Sequence, residues 1–159
     1  MSIIFEPIGI IETTFHKPSE IPVQHGIDNS NHARIILNKE LITGLHDIEQ
    51  FSHIMLFYFF HKSVESSLTV VPYTDDKPHG VFSTRSPSRP NALGFSIVEL
   101  VHVWENILYV KGIDILNNTP LLDIKPYCSW IDSKPETNNG WFKKESLTMK
   151  ADNRFLASA

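Results

Sequence analysis

Apolar residues along this chain fall into short runs, and most of the runs lack helical spacing. Residues 3–13 are rich in β-formers and alternate around Phe5, Ile8 and Ile10, which predicts a strand. Residues 16–31 are polar and include Pro18, Pro22 and Gly26, which predicts a long loop. A loop of that length inside a compact domain is usually functional or disordered. Residues 33–37 predict a short strand. Asn38 suits the N-cap of a helix from Lys39 to about Gln50, broken near Gly44, with Leu41, Leu45 and Ile48 on its buried face. Residues 51–61 leave no polar face, so they predict a strand buried on both sides. Residues 68–72 predict another strand. Residues 95–103 and 107–116 predict two strands joined by a tight turn at Glu105-Asn106. Residues 144–155 are compatible with a terminal helix. Many short strands and few helices imply a mainly β fold, a small barrel with short peripheral helices.

Composition narrows the setting. A length of 159 residues fits one domain. A chain of roughly 150 residues buries over two-thirds of its unfolded surface, so it needs no covalent staples. Cys128 is the single cysteine, which excludes an internal disulfide framework and a CxxC zinc site and makes a cytoplasmic setting the default expectation. The N-terminus has neither a basic region nor a long apolar stretch, so it does not read as a signal peptide. The apolar run 54–60 is too short to span a bilayer, and no membrane association is expected. The net charge of -4 and the lack of a Lys/Arg block confine any RNA contact to a local cluster of cations.

The densest chemistry lies in Gly80-Val-Phe-Ser-Thr-Arg-Ser-Pro-Ser-Arg-Pro-Asn-Ala-Leu-Gly-Phe95, which has two arginines and no acid. Pro87 and Pro90 fix φ and push Ser86 and Arg89 out of helical geometry. Arginines held on so stiff a loop suit carboxylates and phosphates. A proline-rich turn with solvated arginines is the plainer alternative. Two further segments stand with it in order: Gly44-Leu45 with Phe51-Ser-His-Ile54 ahead of His61-Lys62, and Asp114-Ile-Leu-Asn-Asn-Thr-Pro-Leu-Leu-Asp-Ile-Lys-Pro-Tyr127. All three resemble motifs of the TsaA/TrmO-like family, over about residues 8–132. Ala92 stands where the family usually has proline, Phe95 where it has leucine, and Val23 where it has arginine.

The resemblance implies a TsaA-like barrel over residues 1–132, with a C-terminal extension over 133–159 packing on the same domain. It implies an S-adenosylmethionine-dependent methyltransferase acting on N6 of a threonylcarbamoyl-adenosine in the tRNA anticodon loop. The residues matching its cofactor-contacting segments are Pro22, Val23, Gln24, His61, Lys62, Arg85, Phe95, Asn117, Asn118, Thr119 and Pro120. Asn118 replaces a usual glycine and accepts left-handed geometry more readily than most residues.

Methylation at a poorly nucleophilic nitrogen benefits from a group that accepts its proton. Asp114 and Asp123 flank the last motif and are the candidates. An ion pair with Lys125 or an arginine is the competing role for Asp123. Arg89, Asn91, Lys125 and Tyr127 are candidate substrate contacts, with loop packing the alternative for Lys125 and Tyr127 and loop capping for Asn91. His53 and His61 share strand parity but lack a carboxylate or cysteine at matching spacing, so no metal is expected. Strands apolar on both faces imply a homodimer, with Phe57, Phe59, Val101 and Val103 as its surface. A small-molecule or different RNA acceptor, or a non-catalytic cofactor-binding module, remain alternatives.

Overall fold

The computed structural model describes residues 3–22, 30–63, 65–143 and 151–155. Six strands close a barrel. They are β1 (Gly9–Glu12), β2 (His32–Leu37), β3 (His53–Phe59), β6 (Leu93–Trp104), β7 (Ile107–Lys111) and β8 (Thr119–Pro126). Their order around the barrel is β1-β2-β7-β6-β3-β8, and every pairing is antiparallel. Two short strands, β4 (Thr69–Val70) and β5 (His79–Gly80), form a separate ladder beside it. One short helix, α1 (Ser129–Asp132), follows β8. Strand alternation sends Ile11, Ile35, Ile54, Leu56, Val98, Leu108, Val110 and Leu121 into the barrel, each at most 1% exposed.

The mainly β barrel agrees with the sequence pattern, and several details differ. In β1 the buried residues are Gly9 and Ile11, whereas Ile10 is 47% and Phe5 62% exposed. A shift of one residue exchanges the two faces of a strand, and pairing with β2 and β8 sets the register here. The segment after Asn38 is no α-helix. It is two 3-10 turns, Lys39–Leu45 and Ile48–Gln50, separated by Asp47 in the left-handed region. Asn38 offers no side-chain cap; its Nδ2 donates to the Pro7 carbonyl at 3.1 Å. Of the three residues expected on the buried face, Leu45 is buried, Ile48 packs on the core and Leu41 is 36% exposed.

β3 also departs from a strand buried on both sides. Ile54, Leu56 and Tyr58 point inward, while Met55, Phe57 and Phe59 lie on the outer face, with Phe59 42% exposed. The turn at Glu105-Asn106 forms as expected. Glu105 takes a φ of 53°, and Asn106 Nδ2 donates to the Leu37 carbonyl at 2.6 Å. The strand from Ile107 ends at Lys111, and Ile113 and Ile115 continue into the core without pairing. The span 68–72 shortens to Thr69–Val70. β8 was not anticipated; it pairs with both β1 and β3 and closes the barrel. The terminal helix expected over 144–155 lies largely outside the described residues, and Asn153–Phe155 is a 3-10 turn.

Gly94 sits opposite Tyr58 in the β3–β6 pair, and a Cβ there would strike the Tyr58 ring. The missing side chain lets the phenol lie across β6. Gly94→Ala is therefore expected to destabilise the barrel by about 1–3 kcal/mol, the usual cost of overpacking. Chemical denaturation with an unchanged midpoint would contradict that placement of Tyr58.

Candidate functional site

The segment 80–95 owes its shape to hydroxyls as well as prolines. Thr84, Ser86 and Ser88 are buried, while Arg85 is exposed and Arg89 half-buried. Thr84 Oγ1 donates to the Val81 carbonyl at 2.8 Å and accepts from the Ser86 N–H at 3.3 Å. Ser86 Oγ accepts from the Ser88 N–H at 3.3 Å. These bonds satisfy buried backbone groups that no sheet reaches. Ala92 has a φ of 45°, and its N–H donates to the Arg89 carbonyl at 3.0 Å. A prolyl ring allows neither.

The loop forms one side of a cavity of about 260 Å³ at the end of the barrel. Tyr58, His61 and Lys62 come from the end of β3, Arg85 and Arg89 from the loop, and Phe95 from β6. Asp114 and Thr119 arrive from the segment before β8 and from its first residue. Among the described residues Asp114 is the one carboxylate on this wall, which it shares with Lys62, Arg85 and Arg89. Burial, and secondarily the Lys62 charge, lowers the His61 pKa, which favours a neutral ring. Thr119 Oγ1 lies 3.4 Å from His61 Nδ1 and donates to the Leu116 carbonyl at 2.7 Å.

The cavity gathers only part of the expected set. His61, Lys62, Arg85, Phe95, Thr119, Arg89 and Asp114 line it. Val23 and Gln24 lie outside the described residues. Pro22 is half-buried and is not on the wall, although Pro18 and Ile21 are. Asn117 and Asn118 line a second recess with Arg34 and Tyr109 instead. Asn117 Oδ1 accepts from the Thr13 N–H at 3.0 Å, and Asn118 takes a φ of 61°, the left-handed geometry foreseen for it. Pro120 pairs with Ile10 inside the sheet.

Asp123 also stands off the cavity. It pairs with Phe57 on the outer face, and Lys125 Nζ reaches its carboxylate at 2.6 Å. That ion pair was its competing role. Lys125 also sits over the Phe57 ring at 5.8 Å. Tyr127 meets His53 edge-on at 6.3 Å, and Asn91 is exposed at the loop's closing turn. Neither lines the cavity.

The sequence pattern missed a group of cavity residues from the tail. Trp141, Phe142, Ala151 and Phe155 supply one wall. Trp141 Nε1 donates to the Ser83 carbonyl at 3.0 Å, and its rings stack on His79 at 4.1 Å. Phe155 packs on Val70, Val81 and Tyr73, and Arg154 Nη1 donates to the carbonyls of Val71 and Pro72 at 3.3 and 3.1 Å. The Trp141-Phe142 pair in a polar tail was the available signal. Tyr58 and Ser96 were missed as well, although a tyrosine inside an otherwise apolar strand needs a buried partner for its hydroxyl.

The tRNA-methyltransferase O N-terminal domain family matches residues 10–133. A probable S-adenosyl-L-methionine-binding protein of Pyrococcus abyssi is 43% identical over 160 residues, covering 99% of this chain and 87% of that protein. The human tRNA (adenine(37)-N6)-methyltransferase is 36% identical over 139 residues, covering 83% of this chain and 32% of that protein. The crystal structure of TrmO from Pseudomonas aeruginosa superposes with a TM-score of 0.77 at 32% identity, covering 90% of this chain and 64% of that one. The chain thus spans about a third of the human enzyme and just under two-thirds of the bacterial one. In sequence and in fold alike, the chain belongs to the tRNA-methyltransferase O N-terminal domain family.

Proposed function

We propose that this protein is an S-adenosylmethionine-dependent methyltransferase that acts on adenine N6 in the tRNA anticodon loop, on a threonylcarbamoyl-adenosine. The observation that carries the reading is the cavity, whose described lining combines one carboxylate, Asp114, with Lys62, Arg85, Arg89 and aromatic rings. Those walls fit the cofactor's chemistry. Guanidinium and ammonium groups suit its carboxylate. The rings of Phe60, Tyr73 and Phe95 suit an adenine and a sulfonium. When bound, S-adenosylmethionine supplies an electrophilic methyl group. Lys62 and Arg85 would hold its amino-acid carboxylate, and Phe95 and Thr119 border the same pocket. Asp114 accepts the proton of the acceptor nitrogen as that nitrogen gains its methyl group. Incubation with isotope-labelled cofactor and tRNA, followed by mass spectrometry of the nucleosides, tests this. A labelled methyl on the modified adenosine is the expected result. Transfer to a small molecule alone, or no transfer, would replace the reading.

Arg89 is the residue we assign to a tRNA phosphate. It lines the cavity mouth, and its Nη1 lies 3.4 Å from the Thr84 carbonyl, which aims the guanidinium from a fixed loop. Arg89→Ala is expected to flatten the slope of log tRNA affinity against log salt by about 0.7, one phosphate on a single strand. Cofactor affinity should hold. A lost cofactor affinity with an unchanged slope would move Arg89 to the cofactor site.

We further propose a homodimer. The outer face of β3 and β6 presents Phe59 and Leu93 at 42% and 41% exposure, continuous with Phe57 and Phe95, whose rings stand 5.3 Å apart. Phe95 also borders the cavity, so a second copy on this face would cover its mouth. Val101 is 48% exposed but lies beyond the β3–β6 pairing, and Val103 packs on the core, so neither joins that patch. Sedimentation at micromolar concentration should give a dimer, and a monomer would refute it. No helix among the described residues is long and apolar enough to cross a membrane. We propose a cytoplasmic site of action, which the proposed tRNA substrate supports and cell fractionation checks. We take residues 133–159 as an extension of the barrel domain, supported by the contacts of Trp141 and Phe155 with the loop and the β4–β5 ladder.

A further inference from the structure

Tyr58, Ser96 and Asp114 form a chain of hydrogen bonds between the barrel interior and the cavity. Tyr58 Oη lies 3.0 Å from Ser96 Oγ, and Ser96 Oγ lies 2.6 Å from Asp114 Oδ1. The direction of both bonds follows from the end of the chain. An ionised carboxylate only accepts, so the Ser96 proton goes to Asp114. The Ser96 oxygen is then left to accept, so Tyr58 donates to it. Both protons therefore point toward Asp114. Ser96 is fully buried and Tyr58 is 4% exposed, so water does not compete for either hydroxyl. Gly94 makes the arrangement possible by leaving room for the Tyr58 ring.

We infer that Ser96 and Tyr58 are positioning residues that orient the Asp114 carboxylate and keep it ionised to receive the acceptor's proton. The inference rests on the reading of Asp114 as proton acceptor given above. Charge-assisted bonds of this length are the strong ones, and they favour the charged form of the group that accepts them. Burial raises the Tyr58 pKa first and the Asp114 charge raises it further, so the phenol stays protonated and able to donate. Among the described residues, the other charged or titratable groups on the same cavity wall are His61, Lys62, Tyr73, Arg85 and Arg89. They remain in every variant below, so they act equally on all of them. A purely structural pair of hydroxyls would influence stability and leave Asp114 alone. The two roles separate because replacing both hydroxyls by apolar groups of the same shape is often nearly neutral for folding.

The test uses Ser96→Ala, Tyr58→Phe and the double variant, with Asp114→Asn as reference. The first readout is the titration of the Asp114 carboxyl carbon followed by carbon-13 NMR in the absence of cofactor. The second is the acidic limb of the kcat–pH profile for methyl transfer to tRNA. Ser96→Ala should raise the Asp114 pKa by about one unit, with the acidic limb moving upward alongside it. It should lower kcat by about tenfold near the limb, with the calorimetric cofactor Kd unchanged. Tyr58→Phe should shift both readouts the same way by less, and the double variant covers the case in which a single variant fails to fold. If Asp114→Asn retains turnover, Asp114 is not the proton acceptor and the underlying reading fails. If Asp114→Asn is inactive but the hydroxyl variants leave both the titration and the limb in place, the positioning inference is overturned while the reading of Asp114 stands.

Discussion

Asp114→Asn is expected to lower methyl transfer by about 10²–10⁴-fold, the range for removing a positioned acid or base. The substitution keeps the size of the side chain and removes its charge. An amide accepts a hydrogen bond through oxygen, so the bond from Ser96 Oγ can survive. What disappears is the ability to take a proton. The acceptor nitrogen would then carry its proton into the transition state and develop positive charge beside Lys62, Arg85 and Arg89, with no carboxylate among the described wall residues to offset it. The effect should therefore fall on kcat. Calorimetry should show the cofactor still binding, and stopped-time assays should show little product. A variant with near-normal kcat would remove Asp114 from the chemistry and leave the described cavity wall without a carboxylate to replace it.

How much of this site the sequence discloses depends on whether its residues arrive by local or by long-range structure. Arg85 was legible because its loop declares itself locally, through prolines and a lack of acids. His61 and Lys62 were legible through the family resemblance, which matches them to a cofactor-contacting pair at a strand end. The motif from Asp114 to Tyr127 was legible as a unit, yet its residues divide between the inside and the outside of the barrel. Thr119 faces in, while Asp123 pairs with Phe57 and faces out. That division depends on the irregular register between Phe57 and Tyr58, a feature set by strand pairing. No spacing rule within the motif predicts it.

The same reason explains the elements that were missed. β8 has Pro120 near its start and Pro126 at its end, and proline argues against a central strand. It closes the barrel nonetheless, because Leu121 between the two prolines still bonds the residue that leads into the first strand. The Leu121 carbonyl accepts from the Ile8 N–H at 2.8 Å. The 3-10 turns after Asn38 are another case. Leu41, Leu45 and Ile48 have helical spacing, but only a barrel end awaits them, and Asp47 reverses the chain before an α-helix can lengthen. The tail wall escaped because Trp141 and Phe155 gain their meaning only from Ser83, Val70 and Val81, more than fifty residues earlier in the chain.

Arg85→Ala is expected to weaken S-adenosylmethionine binding by about 1.5–3 kcal/mol, the range for a hydrogen bond to a charged group. That corresponds to roughly tenfold to 150-fold in Kd. Arg85 is exposed, which lowers the strength of any single charge contact through solvent screening. Two features work against that loss. The guanidinium lines the cavity, and its charge reaches the buried Tyr58 hydroxyl, where it opposes the upward shift caused by burial and by Asp114. Its backbone is fixed on either side by the Thr84 and Ser86 hydroxyl bonds, so little chain entropy remains to be lost on binding. Lys62 shares the wall but is a point charge on a flexible stem that follows the end of β3. Lys62→Ala should therefore cost less than Arg85→Ala, and Arg85→Lys should recover only part of the loss because it cannot grip a carboxylate with two parallel bonds. Calorimetry at two salt concentrations separates the roles. A bidentate Arg85 contact should keep most of its effect at high salt, while the Lys62 contribution should shrink. Equal affinity of wild type and Arg85→Ala would exclude Arg85 from the cofactor site and transfer the carboxylate to Lys62.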